Sequence, residues 1–222
     1  MRVVIAGGHG KIALHLERLL TEHGHQAVGL VRNPDHLDDL AAVGAKGILC
    51  DLEKTNPMTV AEYLAGSNAV VFAAGAGPGS GTGRKDTVDR GASVALADAC
   101  EQAGVDRFLQ ISSMGAGSEP PQGTDPAFAV YLRAKTAAED DLRGRDLDWT
   151  ILRPGALTDD EPTDRVHLGP SVPRGSVTRA DVASVLLALL SEPAAIGMTL
   201  ELVAGDLTVA DAIRAVANGT RS

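Results

Sequence analysis

The segment "RVVIAGGHGKIALHL", residues 2–16, is the strongest indication of the fold because it joins a buried strand to a helix through a glycine-rich turn. Residues 2–6 are mostly β-branched and apolar, as in a strand covered on both faces. From residue 10 onward, apolar side chains recur at helical spacing. A helix that begins just after glycines presents free backbone N–H groups and the positive end of its dipole. The turn therefore predicts a pyrophosphate site, and the alternative is a tight turn without a ligand.

The same alternation of short apolar runs and amphipathic segments continues along the chain. We predict strands at 2–6, 26–31, 46–50, 69–74, 107–112, 148–153 and 199–204. Helices are expected at 10–23, 35–43, 59–65, 84–104, 126–144, 178–191 and 208–217. Buried strands joined by right-handed helical crossovers predict an α/β fold, a doubly wound parallel sheet of about seven strands. Ligands of such sheets bind beyond the carboxyl ends of the strands.

Composition limits the organisation and the partners of the chain. A length of 222 residues, 44% of them hydrophobic, predicts a single domain with its own core and a small C-terminal, substrate-side extension. A formal charge of -9 argues against nucleic acid and anionic membranes as partners. The N-terminus lacks a signal layout and no apolar run reaches ~20 residues, so we expect a cytoplasmic protein. The sequence does not decide between a monomer and a homodimer.

Two segments interrupt the alternation, and each follows a predicted strand. Residues 75–83, "GAGPGSGTG", contain five glycines and could form either a lid over a bound molecule or a plain loop. Residues 157–177 are longer than an ordinary connection. We expect this second segment to form a substrate-side wall of the pocket.

The glycine-rich turn and the end of the second strand together predict the cofactor. Gly7 and Gly10 allow the tight turn and a close approach of phosphate, and Ala13 replaces a third glycine. Arg32 ends the second predicted strand, where an acidic residue would bind the ribose hydroxyls of NAD. Because a guanidinium suits a 2′-phosphate, we expect NADP (NADPH) in preference to NAD. The alternative for Arg32 is a solvated surface arginine.

The cofactor-binding residues predicted from this geometry lie in the turn and at the ends of strands two to five. They are Gly7, Gly8, His9, Gly10, Lys11, Ile12, Arg32, Asp51, Leu52, Ala73, Ala74, Gly75 and Ser112. For His9, contact with phosphate and simple filling of the loop remain equal alternatives. His23 and His25 are two residues apart but lack a third ligand at suitable spacing, so we expect no metal site.

One of only two tyrosines, Tyr131, precedes one of only five lysines, Lys135, by four residues on the helix at 126–144. This spacing puts both side chains on one helix face, after the strand that ends at Ser112 and Ser113. A phenol in water has a pKa of about 10 and needs a nearby cation to act as an acid or base at neutral pH. We expect Lys135 to supply that cation and Ser113 to hold a substrate oxygen, with Ser112 tied to the strand edge. The alternative is that Tyr131 merely caps an apolar helix face.

Together these motifs resemble short-chain dehydrogenases/reductases of the atypical, epimerase-like or NmrA-like kind. "LDWTILRPGAL" at 147–157 and "TRADVA" at 178–183 add to the resemblance, which covers nearly the whole chain. It implies an NAD(P)-binding Rossmann fold, with Tyr131 as general acid/base, Lys135 also holding the nicotinamide ribose, and Ser113 orienting the substrate carbonyl. It also implies that Pro154 and Gly155 lie near the cofactor.

The sequence departs from this family at Asp89, which stands where the catalytic set usually has an asparagine. We therefore expect an NADP-dependent oxidoreductase that acts on a small carbonyl or hydroxyl compound, with Asp89 in the catalytic cluster. Asp89 and the shortened C-terminal part motivate one alternative, an NmrA-like NADP-binding sensor without turnover. A sugar epimerase/dehydratase-like enzyme is the other.

Overall fold

The computed structural model of the protein describes residues 1–75 and 85–219, with the side chains of residues 85 and 86 left out. Within these ranges the chain forms eleven strands and seven α-helices. The strands are β1 (Arg2–Ala6), β2 (Gln26–Val31), β3 (Lys46–Leu49), β4 (Ala69–Phe72), β5 (Arg107–Ile111), β6 (Asp148–Pro154), β7 (Ala156–Thr158), β8 (Arg165–Gly169), β9 (Ser176–Thr178), β10 (Met198–Ala204) and β11 (Leu207–Thr208). The helices are α1 (Lys11–Glu22), α2 (Leu37–Ala42), α3 (Pro57–Leu64), α4 (Ala92–Ala103), α5 (Pro126–Arg143), α6 (Arg179–Leu189) and α7 (Val209–Gly219), and a π-helical turn, Lys85–Gly91, precedes α4.

The central sheet confirms the predicted fold class. Its strand order is β11-β8-β10-β6-β5-β4-β1-β2-β3, and the strands from β10 to β3 are parallel. Val4 of β1 lies between Val28 of β2 and Val70 of β4. The chain moves from β1 to one side of the sheet and then crosses back to β4, so the strand order reverses next to β1. This switch point is where doubly wound sheets bind their ligands.

The alternation of side chains along β1 explains why both faces of the sheet need helices. Val3 and Ile5 belong to one buried apolar cluster, to which α1, α6 and α7 contribute. Val4 and Ala6 belong to the other cluster, to which α3, α4 and α5 contribute. Because successive residues of a strand point to opposite faces, an apolar run such as this one is stable only when it is covered on both sides.

The number of strands differs from the prediction of about seven, because the sheet has nine. β8 pairs antiparallel with β10, with Leu168 opposite Leu202, and the two-residue β11 pairs with β8. A separate parallel pair joins β7 to β9. The segment at 157–177, predicted as a long loop, therefore contains β8 and two of the three residues of both β7 and β9. These strands are only three to five residues long and pair with partners distant in sequence, so local periodicity does not reveal them.

Three further features bear on the earlier expectations. The glycine-rich segment at 75–83, apart from Gly75, lies outside the described residues. Both cysteines, Cys50 and Cys100, are buried and unpaired. Among the residues that the structure describes, no helix is both long and apolar enough to cross a bilayer.

Candidate functional site

A cleft of about 320 Å³ opens at the carboxyl ends of β1, β2, β3 and β4. It brings together nine of the residues predicted to bind the cofactor: Gly7, His9, Gly10, Arg32, Asp51, Leu52, Ala73, Ala74 and Gly75. Val31, His36, Cys50, Glu53 and Val88 also line it. Residues that are far apart in sequence therefore meet at the predicted edge of the sheet.

The turn between β1 and α1 requires glycine at the position closest to β4. Gly7 has φ +79°, and a Cβ there would lie 2.7 Å from the Cα of Ala74. The N–H groups of Gly7 and Gly8 both donate to the carbonyl oxygen of Leu30, at 3.2 and 3.1 Å, and that of Gly10 donates to Gly7 at 2.8 Å. The glycine amides thus hold the turn in shape, so they are not the groups left to bind an anion.

The free donors lie one step further along the chain, in the first turn of α1. Gly10 caps the helix without a side-chain hydrogen bond, and no acidic residue occupies the first turn. In the part of the chain that the structure describes, the N–H groups of Lys11, Ile12 and Ala13 have no backbone or side-chain acceptor. Unpaired amides at the positive end of a helix dipole fit a phosphate, and the adjacent glycines leave room for it.

The cleft residues that follow β2 and β3 include the guanidinium of Arg32 and the carboxylates of Asp51 and Glu53. The half-exposed guanidinium of Arg32 lies 3.7 Å from Glu53, which also accepts a hydrogen bond of 2.8 Å from the hydroxyl of Thr87. Asp51 lies 3.1 Å from the ammonium of Lys54. The contact between Arg32 and Glu53 is longer than a hydrogen bond and partly exposed, so it binds the guanidinium weakly.

His9 forms part of the cleft wall through contacts with the segment that follows β2. Its Nε2 lies 2.7 Å from Asp39, and its ring stacks on His36 with the ring centroids 3.5 Å apart. These contacts hold the imidazole in place beside the glycine turn.

Three of the predicted cofactor residues in the turn lie outside the cleft lining. Gly8 packs against β2, where its Cβ would lie 2.7 Å from the Cα of Gly29. Ile12 packs against the apolar core. The side chain of Lys11 points to Asp159, which also accepts a 2.6 Å hydrogen bond from Arg179. Only the backbone of this part of the turn is therefore available to a ligand in the cleft.

Lys135 is the centre of a buried cluster beside the cleft. Its side chain is only 4% exposed, and its ammonium lies 3.2 Å from Oδ1 of Asp89 and 3.2 Å from the carbonyl oxygen of Ile111. It also lies 5.7 Å from the ring centroids of Tyr131 and Phe72. The predicted pair is therefore brought together at the end of β5, with Asp89 as the counter-charge of Lys135.

The two serines at the end of β5 point to different partners. Ser112 is buried, and its hydroxyl donates to Glu139 at 2.5 Å. Ser113 is half-buried and lines a second cavity of about 490 Å³, together with Pro154 and Gly155. Pro154 and Gly155, predicted to contact the cofactor, thus line this second cavity instead of the first cleft. Gly75 connects the first cleft to the cluster, because a Cβ there would lie 3.3 Å from Asp89.

Glu139 is a residue of this region that we did not predict. It is fully buried on α5 and accepts hydrogen bonds from Arg153 (2.9 Å to Nε) and Arg143 (2.8 Å), as well as from Ser112. Burial alone would raise its pKa, but the hydrogen bonds from Arg153 and Ser112 and the charges of both arginines hold the pKa below its ordinary value. The available signal was its position four residues after Lys135, on the same helix face.

Glu17 was also missed, and it lies beneath the glycine turn. Its carboxylate is fully buried, and burial raises its pKa to about 8. Neither oxygen has a hydrogen-bond partner among the described residues. A Cβ on Gly8 or Gly29 would lie 2.9 or 2.5 Å from its Oε1, so these glycines make room for the carboxyl group. The signal was again helical spacing, since Glu17 falls between Leu16 and Leu20 on the apolar face of α1.

Within the described ranges, no group of three or more His, Cys, Asp or Glu side chains could hold a metal ion.

Comparison with known proteins identifies related chains, several of which match over nearly their whole length. Residues 7–193 match the model of a family described as NAD(P)H-binding. The "uncharacterized sugar epimerase YhfK" of Bacillus subtilis is 30% identical, over 96% of this chain and 99% of its own. A solved structure from Bacillus halodurans, provisionally called an NAD-dependent epimerase/dehydratase, is 34% identical with a TM-score of 0.89, covering 97% and 99% of the two chains. The oxidoreductase ylbE of Lactococcus lactis is 26% identical with a TM-score of 0.84, covering 97% and 96%.

Proposed function

Because the chain belongs to the NAD(P)H-binding family, we propose that it is an NADP-dependent oxidoreductase acting on a small carbonyl or hydroxyl compound. The observation that carries this proposal is the cluster of Tyr131, Lys135 and Ser113 at the end of β5. Ser113 lines the second cavity, and Gly75 of the first cleft lies beside Asp89, the counter-charge of Lys135. Such an arrangement suits a reaction in which the cofactor enters from one side and the substrate from the other.

The residues of the first cleft fit a dinucleotide. The amides of Lys11 to Ala13 would hold the pyrophosphate, and Asp51 and Leu52 would lie along the adenosine. Ala73 to Gly75 would lie along the path toward the nicotinamide. The bound cofactor would supply or accept the hydride.

The proton chemistry is assigned to the residues of α5 and β5. Ser113 donates a hydrogen bond to the carbonyl oxygen of the substrate and orients it. Tyr131 gives its phenolic proton to that oxygen as the carbonyl carbon receives the hydride, which completes the alcohol. Lys135 provides the positive charge that favours the resulting phenolate, and Asp89 and Ile111 fix its position.

The preference for NADP is assigned to Arg32. Its guanidinium is half-exposed and lines the cleft, and its one charged contact among the described residues is that of 3.7 Å with Glu53. A 2′-phosphate would offer it a stronger, charge-assisted partner than this carboxylate.

A second function, cofactor-dependent sensing without turnover, is supported by the ion pair between Lys135 and Asp89. A carboxylate 3.2 Å from the ammonium offsets much of its positive charge, so less of that charge acts on Tyr131. An epimerase is a further alternative, because the names of the Bacillus subtilis and Bacillus halodurans relatives contain this activity.

Substitution of Tyr131 by phenylalanine distinguishes these functions. We expect the protein to oxidise NADPH with some members of a panel of small aldehydes and ketones. The Tyr131→Phe variant should keep its affinity for NADPH in calorimetry but lose about a hundredfold or more in kcat. Tyr63→Phe changes the only other tyrosine and serves as the matched control. Full activity of Tyr131→Phe would refute the mechanism, whereas tight NADPH binding without turnover of any compound would support the sensor.

A further inference from the structure

The second cavity contains an arginine that differs from the other cations near the site. Two acidic residues line it, and both are already engaged: Glu119 pairs with Arg133, and Asp125 caps α5 by accepting the N–H of Phe128 at 2.9 Å. Among the described residues of its lining, Arg174 is the single cation. In the described part of the chain, the guanidinium of Arg174 has neither an ion pair nor a hydrogen bond. Among the described residues that line the cavity, Arg174 is therefore the cation without an ion-pair partner.

The other cations near the site each have a carboxylate partner. Lys135 pairs with Asp89, Arg153 with Glu139, and both Lys11 and Arg179 with Asp159. A protein with a formal charge of -9 repels anions at long range. A cation without an ion-pair contact of its own is what would hold an anionic ligand at this point.

The backbone next to Arg174 is held firmly although its side chain is exposed. The N–H of Ala156 donates to the carbonyl oxygen of Gly175 at 2.9 Å, and β7 pairs with β9 directly afterwards. A Cβ on Gly155 would lie 2.3 Å from that same oxygen, so the two chain segments are in close contact. The guanidinium is therefore attached to a backbone segment of defined position.

The wall formed by α5 is apolar and partly aromatic. Phe128 is 44% exposed despite its large ring, and it stacks on Tyr131 with ring centroids 5.7 Å apart and 24° between the planes. Leu132 lines the same cavity. An exposed aromatic ring stacked on the proposed acid/base offers a flat surface to a planar substrate.

We propose that the second cavity binds carbonyl compounds that carry an anionic group, and that Arg174 recognises this group as a specificity-determining residue. The apolar and planar part of the substrate lies against Phe128, and its carbonyl faces Ser113. This inference rests on the proposed oxidoreductase function for the role of Ser113, but the binding of the anion does not depend on turnover. At about 490 Å³ the cavity is within the range of small-molecule sites.

A matched pair of compounds tests the assignment: p-carboxybenzaldehyde and its methyl ester, which differ in the charge of the group opposite the aldehyde. We expect NADPH-dependent turnover of the acid with a KM about ten- to a hundredfold below that of the ester. Arg174→Gln should raise the KM for the acid to that for the ester. The KM for the ester and the affinity for NADPH should stay unchanged. Arg18→Gln, which removes an exposed arginine of α1, should behave as the unmodified protein.

Calorimetric titration of the acid into NADP-loaded protein separates this inference from the proposed function. Binding of the acid that weakens about tenfold or more in Arg174→Gln, without turnover of either compound, supports the anion site while the oxidoreductase proposal fails. Equal KM values for acid and ester in both proteins overturn the anion site while the oxidoreductase proposal stands. Absence of saturable binding of the acid overturns the anion site as well.

Discussion

At the scale of single residues, Arg32 makes the most direct prediction about the cofactor. We expect Arg32→Asp to weaken NADPH binding by about ten- to a hundredfold, because a charge-assisted contact to the 2′-phosphate is replaced by repulsion. NADH lacks this phosphate, so its affinity should change little or improve. Titration calorimetry with both cofactors measures the ratio.

The control for this experiment is Arg18→Asp, which makes the same change of net charge on the exposed side of α1. It should leave the ratio of the two affinities as it is. An unchanged ratio in Arg32→Asp itself would refute the assignment of Arg32.

Arg32 and Arg174 differ in whether the sequence alone could indicate their roles. Arg32 was predictable because its position at the end of β2 has a meaning in this fold. Arg174 was not, because nothing in the sequence distinguishes it from other exposed arginines. Its importance comes from a difference that only the folded chain reveals: nearby cations have carboxylate partners, and Arg174 has none among the described residues.

At the scale of elements, the buried Glu139 joins α5 to the ends of β5 and β6 through Ser112 and Arg153. Replacing Glu139 by glutamine removes the charge that compensates Arg143 and Arg153. We therefore expect Glu139→Gln to lose about 3 kcal/mol in the free energy of unfolding. Urea denaturation near neutral pH measures the loss.

Asp140→Asn, one residue further along the same helix, is the control for Glu139→Gln. Asp140 is exposed and contacts only Arg143 among the described residues, so this variant should lose less than about 1 kcal/mol. Because the pKa of Glu139 is lowered on folding, its contribution is present above its ordinary pKa and is lost as the pH falls through the folded value. The difference between the unmodified protein and Glu139→Gln should therefore shrink in acid. Equal stability of the two variants at neutral pH would contradict this role.

The elements differ in how readily the sequence reveals them. The bounds of β1, β2 and the other long strands of the parallel sheet were predicted within about two residues. Each of these strands is an apolar run next to an amphipathic helical segment in the sequence. β8 and β11 were not predicted, because they are short and their pairing depends on β10 being already in place. The candidate site follows the same rule: its residues at the ends of long strands were predicted, and those held by β7 and β9 were not.

At the scale of the whole molecule, Glu17 makes the stability depend on pH. Burial raises its pKa from 4.5 to about 8, so the folded state keeps a proton that the unfolded state releases. Stability from this group is fully present below pH 4.5 and is lost as the pH rises to about 8. The total effect is of the order of a few kcal/mol.

Glu17→Gln should remove this dependence, because the amide stays neutral throughout. We expect the variant and the unmodified protein to differ little near pH ~5, and the variant to be more stable by a few kcal/mol near pH ~8. Glu22→Gln, at an exposed position of the same helix, should follow the unmodified protein at both values. Urea unfolding curves at the two pH values measure the difference, and parallel curves for Glu17→Gln and Glu22→Gln would contradict the prediction.

The outer strands of the sheet affect the tendency of the protein to associate with itself at high concentration. The sheet ends in the four-residue β3 on one side and the two-residue β11 on the other, because β8 and β11 cover the open flank of β10. Such short margins offer a second molecule few unpaired backbone groups on which to extend the sheet. Fibril-like association of native molecules through added strands is therefore disfavoured by the architecture itself.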